Sequence, residues 1–263
     1  MSETPAQLWR ALVSADPTRP FVTSYDASGA RIELSRATFD NWVSKTANML
    51  VDGFGAQPDD ATALALPVHW QSLVWAVSCW SVGAVVVPSP RDSVAPGAGF
   101  VVADADRLAA AVDTGADEVF GTSLHPLGLP LKEVPPLVVD YSVEVRGHGD
   151  HFAAYAIDPA GHALKTDDGE LSGAELAALG RDRAEEWGLT SEDRIALVLE
   201  PDAPLSALGR SLDLLLAALA SGAPLILTPP GADDLAGRLR MEKATVVTAP
   251  EGEEPDFPGI RRL

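Results

Sequence analysis

The sequence predicts an α/β fold of mostly parallel sheets flanked by helices, and three observations carry that prediction. Short apolar runs (ATALALP, VVVPSP, DRIALVL, APLILTPP) alternate with longer stretches of helical periodicity. That alternation is the rhythm of βαβ units, whose strands pair in parallel because a helix crosses between them. Several of the runs are apolar throughout rather than at every second residue, as strands covered on both faces are. Hydrophobic residues make up 46% of 263 positions, enough for a sizeable core.

In chain order, residues 4–15 read as a first helix. FVTSYDASGARIEL holds two β-rich runs around Ala27–Ala30, a hairpin signal. Ser35 suits a helix cap, and Phe39, Trp42, Val43, Thr46, Leu50 and Phe54 follow at three- and four-residue spacing, closed by Gly53 and Gly55. A strand at ATALALP, an all-apolar helix at HWQSLVWAVSCWSVGA and a strand at VVVPSP form a βαβ unit. GFVVADA, a helix near 104–113 and DEVFG continue it. Residues 122–150 carry four prolines and little periodicity, and read as a long surface connection. HFAAYAID and HALKTDDG read as a hairpin across Pro159–Ala160–Gly161. Ser172 and Glu175 then have capping-box spacing for a helix ending near Trp187. DRIALVL is a strand, 205–221 a helix, APLILTPP a strand, ADDLAGRLRMEK a helix and ATVVTAP a strand. The Pro- and Gly-rich tail from Glu251 reads as irregular.

Lys and Arg number 19 against 38 Asp and Glu, a formal net charge of -19. Such a field repels phosphate backbones and anionic lipid, so neither nucleic acid nor membrane is an expected partner. The start lacks the basic and apolar regions of a signal peptide, and the apolar stretch 205–227 is interrupted by Arg210, Asp213 and Pro224. Cys79 has no second cysteine to pair with. These features read as a cytoplasmic protein.

The order of elements resembles that of the adenylate-forming enzymes, the AMP-binding superfamily of acyl-CoA synthetases, luciferases and adenylation domains. Three stretches carry the likeness: RIELSRATFDNWVSKTANMLVDGFGAQPDDATALALPVHWQSLVWAVSCWSVGAVVVPSP, GLTSEDRIALVLEPDAPLSALGRSLDLLLAALASGAPLILTPP and ADDLAGRLRMEKATVVTAP. The resemblance implies the N-terminal domain of an acyl-CoA synthetase without its C-terminal half: one truncated unit over 1–263, with 56–188 in one lobe and 1–55 with 189–263 in the other. The family's adenine-contacting strand, magnesium-binding glutamate, ribose-binding aspartate and lid would lie beyond Leu263.

The family's phosphate loop reads Tyr-Thr-Ser-Gly-Ser/Thr-Thr-Gly-x-Pro-Lys-Gly. Its glycines let amides close on phosphate oxygens, its hydroxyls donate, and its lysine neutralises charge. Laid on YAIDPAGHALK, it matches only at Tyr155 and Gly161. Asp158 and Pro159 replace a glycine and a hydroxyl, adding a carboxylate and removing an amide hydrogen. Lys165 stands one position beyond the family's lysine. These four positions, Tyr155, Asp158, Gly161 and Lys165, read as a degenerate loop. No catalytic residue and no cofactor are therefore expected.

The implied function is a non-catalytic relative, kept as a ligand-binding or interaction module. The alternative is half of a split adenylate-forming enzyme completed by a separate chain, in which case ATP and magnesium return as cofactors. The face that the missing half would cover is expected either to carry polar replacements or to be buried by a homodimer or a protein partner. His148, Asp150 and His151, with His162 nearby, are weak metal candidates, since their spacing matches no known signature. Cys79 sits in an apolar helix, where a thiol acts as a small hydrophobe. Trp70, Trp75 and Trp80 read as core. Neither a Gly-x-Ser-x-Gly elbow nor a Gly-x-Gly-x-x-Gly turn occurs.

Overall fold

The computed structural model describes residues 3–153, 156–231, 234–248, 257 and 259–263. Helix α1 (Pro5–Ala15) opens on a capping box, in which the Gln7 amide donates to the Thr4 hydroxyl and the Thr4 amide donates to the Gln7 side chain. Strands β1 (Pro20–Tyr25) and β2 (Arg31–Ser35) pair antiparallel as the hairpin signal predicts. Ser35 caps α2 (Arg36–Asn48), which closes through one wider turn, Met49–Gly53. The first βαβ unit is β3 (Ala61–Ala65), α3 (Trp70–Val82) and β4 (Val85–Pro88). The second is β5 (Phe100–Asp104), α4 (Leu108–Asp113) and β6 (Glu118–Thr122).

There follow β7 (Val139–Asp140), the short α5 (Tyr141–Glu144), β8 (His162–Thr166), β9 (Gly169–Ser172) and α6 (Gly173–Glu186). The chain continues with β10 (Ile195–Val198), α7 (Asp213–Ser221), β11 (Leu225–Thr228), α8 (Leu235–Met241), β12 (Val246–Thr248) and β13 (Arg261–Arg262).

Among the described residues the strands form two sheets. One runs β13-β12-β10-β11-β1-β2 and the other β7-β6-β5-β3-β4-β8-β9. Pairing is parallel except at the two hairpins, β1–β2 and β8–β9. Alternation along each strand sorts side chains into layers. Ile195 and Leu197 of β10, with Leu64 of β3 and Val86 of β4, face a shared core filled by Trp9, Phe39, Trp75, Leu176 and Leu215 from the helices between the sheets. Ala196 and Val198 face the other way, against Leu239 of α8. Ala63, Ala65 and Val101 face outward against Leu108 and Ala111 of α4. The molecule is thus layered helix, sheet, helices, sheet, helix. In the central layer Trp9, Phe21 and Phe39 meet with ring centroids 4.6–5.0 Å apart, close enough for edge-to-face attraction beyond simple burial.

Four expectations need correction. The stretch 122–150 is not merely a surface connection. Tyr141 is fully buried and its hydroxyl hydrogen-bonds that of Thr46 at 2.8 Å, while the Asp140 carboxylate accepts from the Leu131 and Ser142 amides. Residues 205–221 do not make one helix. A 3-10 turn at Leu205–Leu208 breaks at Gly209, and Leu212 enters α7 in the left-handed region at φ 61°. The tail is not wholly irregular, because β13 pairs with β12. The expected hairpin across Pro159–Gly161 lies one step later, as β8 and β9 joined at Asp167–Asp168. Among the described residues 151–153 and 156–159, none is in a strand.

The Ser172 cap on α6 has both halves of its box, with the Glu175 amide on the Ser172 hydroxyl and the Ser172 amide on the Glu175 carboxylate. Ser172→Ala is expected to cost about 1 kcal/mol. Urea unfolding checks this, through a lower midpoint with an unchanged slope.

Candidate functional site

Downstream of the turn that the resemblance aligns with the phosphate loop, the chain runs through β8, the turn Asp167–Asp168 and β9 into the capped helix α6. Thr166 pairs with Gly169, so only two residues span the turn. The Asp168 amide is engaged by the Thr166 hydroxyl at 3.3 Å. A phosphate cradle needs several successive amides aimed at one point, and a two-residue turn with two carboxylates supplies neither the amides nor the sign of charge.

This turn faces a cleft of about 550 Å³ at the C-terminal ends of β4 and β8, with Ser89, Lys165, Ser206 and Arg210 among its walls. Arg210 pairs with Asp168 at 3.4 Å across the cleft, and both are largely exposed. Such an exposed pair is worth little in stability, but it neutralises the cation a phosphate would need. Lys165 is likewise occupied, 3.2 Å from Glu170, its partner across the hairpin. His162 stands 3.6 Å from the same carboxylate.

Asp158 and Gly161 lie in a separate turn before β8, at the opposite end of that strand. Tyr155 lies outside the described residues. The turn is closed upon itself: the Ala160 amide donates to the Asp158 carboxylate at 2.9 Å and the Gly161 amide to the Asp158 carbonyl at 3.0 Å. Pro159 has no amide hydrogen to offer. A helix N-terminus is an anion site only while its amides are open. In α6 the Gly173 amide donates to the Gly161 carbonyl at 3.1 Å and the Ala174 amide to the Pro159 carbonyl at 2.8 Å. The Glu175 amide goes to Ser172. Hydrogen bonds from the Ser172 amide and hydroxyl hold the Glu175 carboxyl below its ordinary value, so the helix start also carries its own anion.

His148, Asp150 and His151 do not converge. The His148 ring reaches Glu144 at 3.3 Å, and its carbonyl accepts from the Lys45 ammonium. The Gly149 and His151 carbonyls both accept from Asn48. The segment is strapped to the end of α2 through its backbone. Among the described residues no group of three or more His, Cys, Asp or Glu is placed to hold a metal. Burial pushes the Cys79 thiol up to about 12, far from the thiolate that nucleophilic chemistry needs. Trp70, Trp75 and Trp80 are buried, and the Trp80 indole donates to the Ala163 carbonyl at 2.9 Å.

Sequence reasoning missed the turn at 167–168, Arg210 beside it and the crevice lined by His69. The first had a signal: Asp168-Gly169 between β-rich runs is a hairpin dipeptide. The other two are brought to their places by loops after β10 and β3, whose meeting no local pattern encodes. Among the described residues no helix is long and apolar enough to cross a membrane.

No family model matches the chain. It is 36% identical over 248 residues to the "TIGR03089 family protein" of Mycobacterium tuberculosis, covering 90% of this chain and 94% of that one. Solved structures share the fold at low identity. An acyl-CoA synthetase of Brucella canis superposes with TM-score 0.74 and 15% identity, over 93% of this chain and 47% of that one. A long-chain-fatty-acid-CoA ligase of Archaeoglobus fulgidus gives TM-score 0.74 and 17% identity, over 94% and 51%. The chain therefore spans about half the length of these synthetases. It belongs to the TIGR03089 family and carries, over that half length, the fold of the acyl-CoA synthetases of the AMP-binding superfamily.

Proposed function

We propose that this protein is a non-catalytic relative of the acyl-CoA synthetases, a ligand-binding or interaction module that does not take ATP. One observation carries the reading. Beside the stretch that the resemblance aligns with the phosphate loop, β8 and β9 are joined by two residues, Asp167 and Asp168, and the neighbouring cations Lys165 and Arg210 are paired with carboxylates. The amides of the preceding turn and of the α6 N-terminus support it, since they are satisfied within the chain. Two added carboxylates within a few Å of a triphosphate each oppose binding by about 1 kcal/mol even in fully aqueous surroundings.

The test is ATP–pyrophosphate exchange with magnesium over a panel of short, long and aromatic carboxylic acids. The expected result is no exchange above a protein-free blank for any acid. Robust exchange by this chain alone would overturn the proposal.

A further inference from the structure

The loops after β10 and β11 leave the sheet in opposite directions. β10 leads to α7 in the central layer, while β11 leads to α8 on the outer face and on to β12 at the far side of β10. Strands that diverge in this way leave a crevice beyond their C-terminal ends, the usual ligand position in open α/β sheets. Here the crevice is real, a cavity of about 180 Å³. The loop after β3 closes it from the other sheet, held by the Val68 amide on the Ala203 carbonyl at 2.8 Å.

Its walls are largely apolar, with Val68, Leu124, Leu199 and Leu227 among them. Two polar groups reach it unpartnered among the described residues. The Ser24 side chain, in a residue 6% exposed at the end of β1, makes no hydrogen bond. His69 caps α3 by accepting the Gln71 amide on Nδ1 at 3.3 Å, so its ring proton lies on Nε2, which has no partner. A hydroxyl and an N–H without protein partners, set in a largely apolar wall, are free to donate to an oxygen acceptor that enters the crevice.

The charge around the crevice is negative. Asp26 and Glu200 both line it. Burial would raise the Asp26 carboxyl, but hydrogen bonds from Ser28 and Ala30 outweigh that and keep it ionised. Burial also pushes His69 down to about 4, so the ring is neutral near pH 7 and offers an anion no counter-charge. Arg238 is engaged on the outer face, 4.2 Å over the Tyr25 ring and donating to the Thr228 hydroxyl.

We propose that this crevice binds a small uncharged organic molecule, with an apolar body against the leucines and one carbonyl or hydroxyl oxygen accepting from His69 and Ser24. A short-chain amide has this chemistry, whereas the corresponding carboxylate does not. The volume suits about six to ten heavy atoms, since an apolar cavity of about 150 Å³ accepts benzene. The inference deepens the reading of the chain as a ligand-binding module, and the two fail separately. Nucleotide binding would end that reading and leave this site standing.

The test is a titration of the full chain followed through the His69 ring signals by NMR, the signals identified with His69→Asn. Three probes with the same branched four-carbon skeleton are compared: isobutyramide, isobutyrate and isobutylamine. Isobutyramide is expected to shift the ring signals saturably, with a Kd on the order of 1 mM, and isobutyrate and isobutylamine to leave them in place. Ser24→Ala should weaken the amide about fivefold. The wild-type comparison needs no variant, so poor folding of Ser24→Ala would not blunt it. An acid or amine that shifts His69 as the amide does, or an amide without effect at ten times that concentration, overturns the proposal.

Discussion

Gly180→Val is expected to lower the melting temperature by about 10 °C, a destabilisation of about 3 kcal/mol. Helices α6 and α7 cross at Gly180. A Cβ there would lie 2.7 Å from the Leu216 carbonyl oxygen and 3.0 Å from its carbon. Both are backbone atoms of a helix whose residues 214–219 are buried, so no side chain can swing aside. A valine must push the helices apart or unwind a turn, and its two further methyl groups need space as well. The better helix propensity of a non-glycine residue, at most about 1 kcal/mol, does not offset this. Gly147→Ala serves as the control, because nothing lies within 4 Å of its Cβ position. A Gly180→Val protein that melts with the parent would mean that the two helices separate freely, which the packing contradicts.

Glu242→Ala should cost about 3 kcal/mol at neutral pH. Glu242 is 3% exposed and accepts from the Tyr25 hydroxyl at 2.5 Å and from Arg31 Nε at 2.7 Å, with Arg194 3.4 Å away. Removing it leaves Arg194, largely shielded from water, with the more distant Glu33 carboxylate at 3.7 Å, and leaves the Tyr25 hydroxyl without its acceptor. Losing one member of a buried pair costs about 3–5 kcal/mol, and the lower end applies because Arg31 is 40% exposed. Burial alone would raise the Glu242 carboxyl. The hydrogen bonds from Arg31 and Tyr25 and the two guanidinium charges outweigh burial and hold it below its ordinary value. A depressed folded value means the stabilisation is complete above the ordinary glutamate range, about pH 4.3, and disappears as pH falls through the folded value. Urea unfolding of parent and variant should therefore differ most at pH 7 and converge in acid. A gap that persists or widens at low pH would assign the effect to packing instead.

Much of the fold was legible because its signals are local. The run at 61–88 carries strand, all-apolar helix and strand within 28 residues, and Ser35, Ser172 and Glu175 mark helix starts by chemistry that acts over three positions. What failed depended on distant partners. Nothing near Tyr141 says that Thr46 waits for its hydroxyl. Arg261 and Arg262 form a strand only because Val246 and Val247 present an open edge. Gly209 and Leu212 break a run that periodicity alone continues.

The altered chemistry of the expected loop was legible, and the place of the hairpin was not. The loss of glycines and hydroxyls is visible in the residues, whereas the hairpin expected across Pro159–Gly161 is joined at Asp167–Asp168. Both stretches pair aspartate with a turn, and composition cannot choose between them. Register can: Lys165 faces Glu170 because Thr166 pairs with Gly169. The crevice at Ser24 and His69 was not legible, since it forms where loops from two sheets meet.

Direct titration of this chain with magnesium ATP by calorimetry is the sharpest test, because nucleotide binding would be read whether or not any other chain is needed for turnover. The account predicts no saturable heat with nucleotide in the millimolar range. Stoichiometric binding with a Kd of about 100 μM or tighter, abolished by widening the charge at the turn through Gly169→Asp, would contradict it.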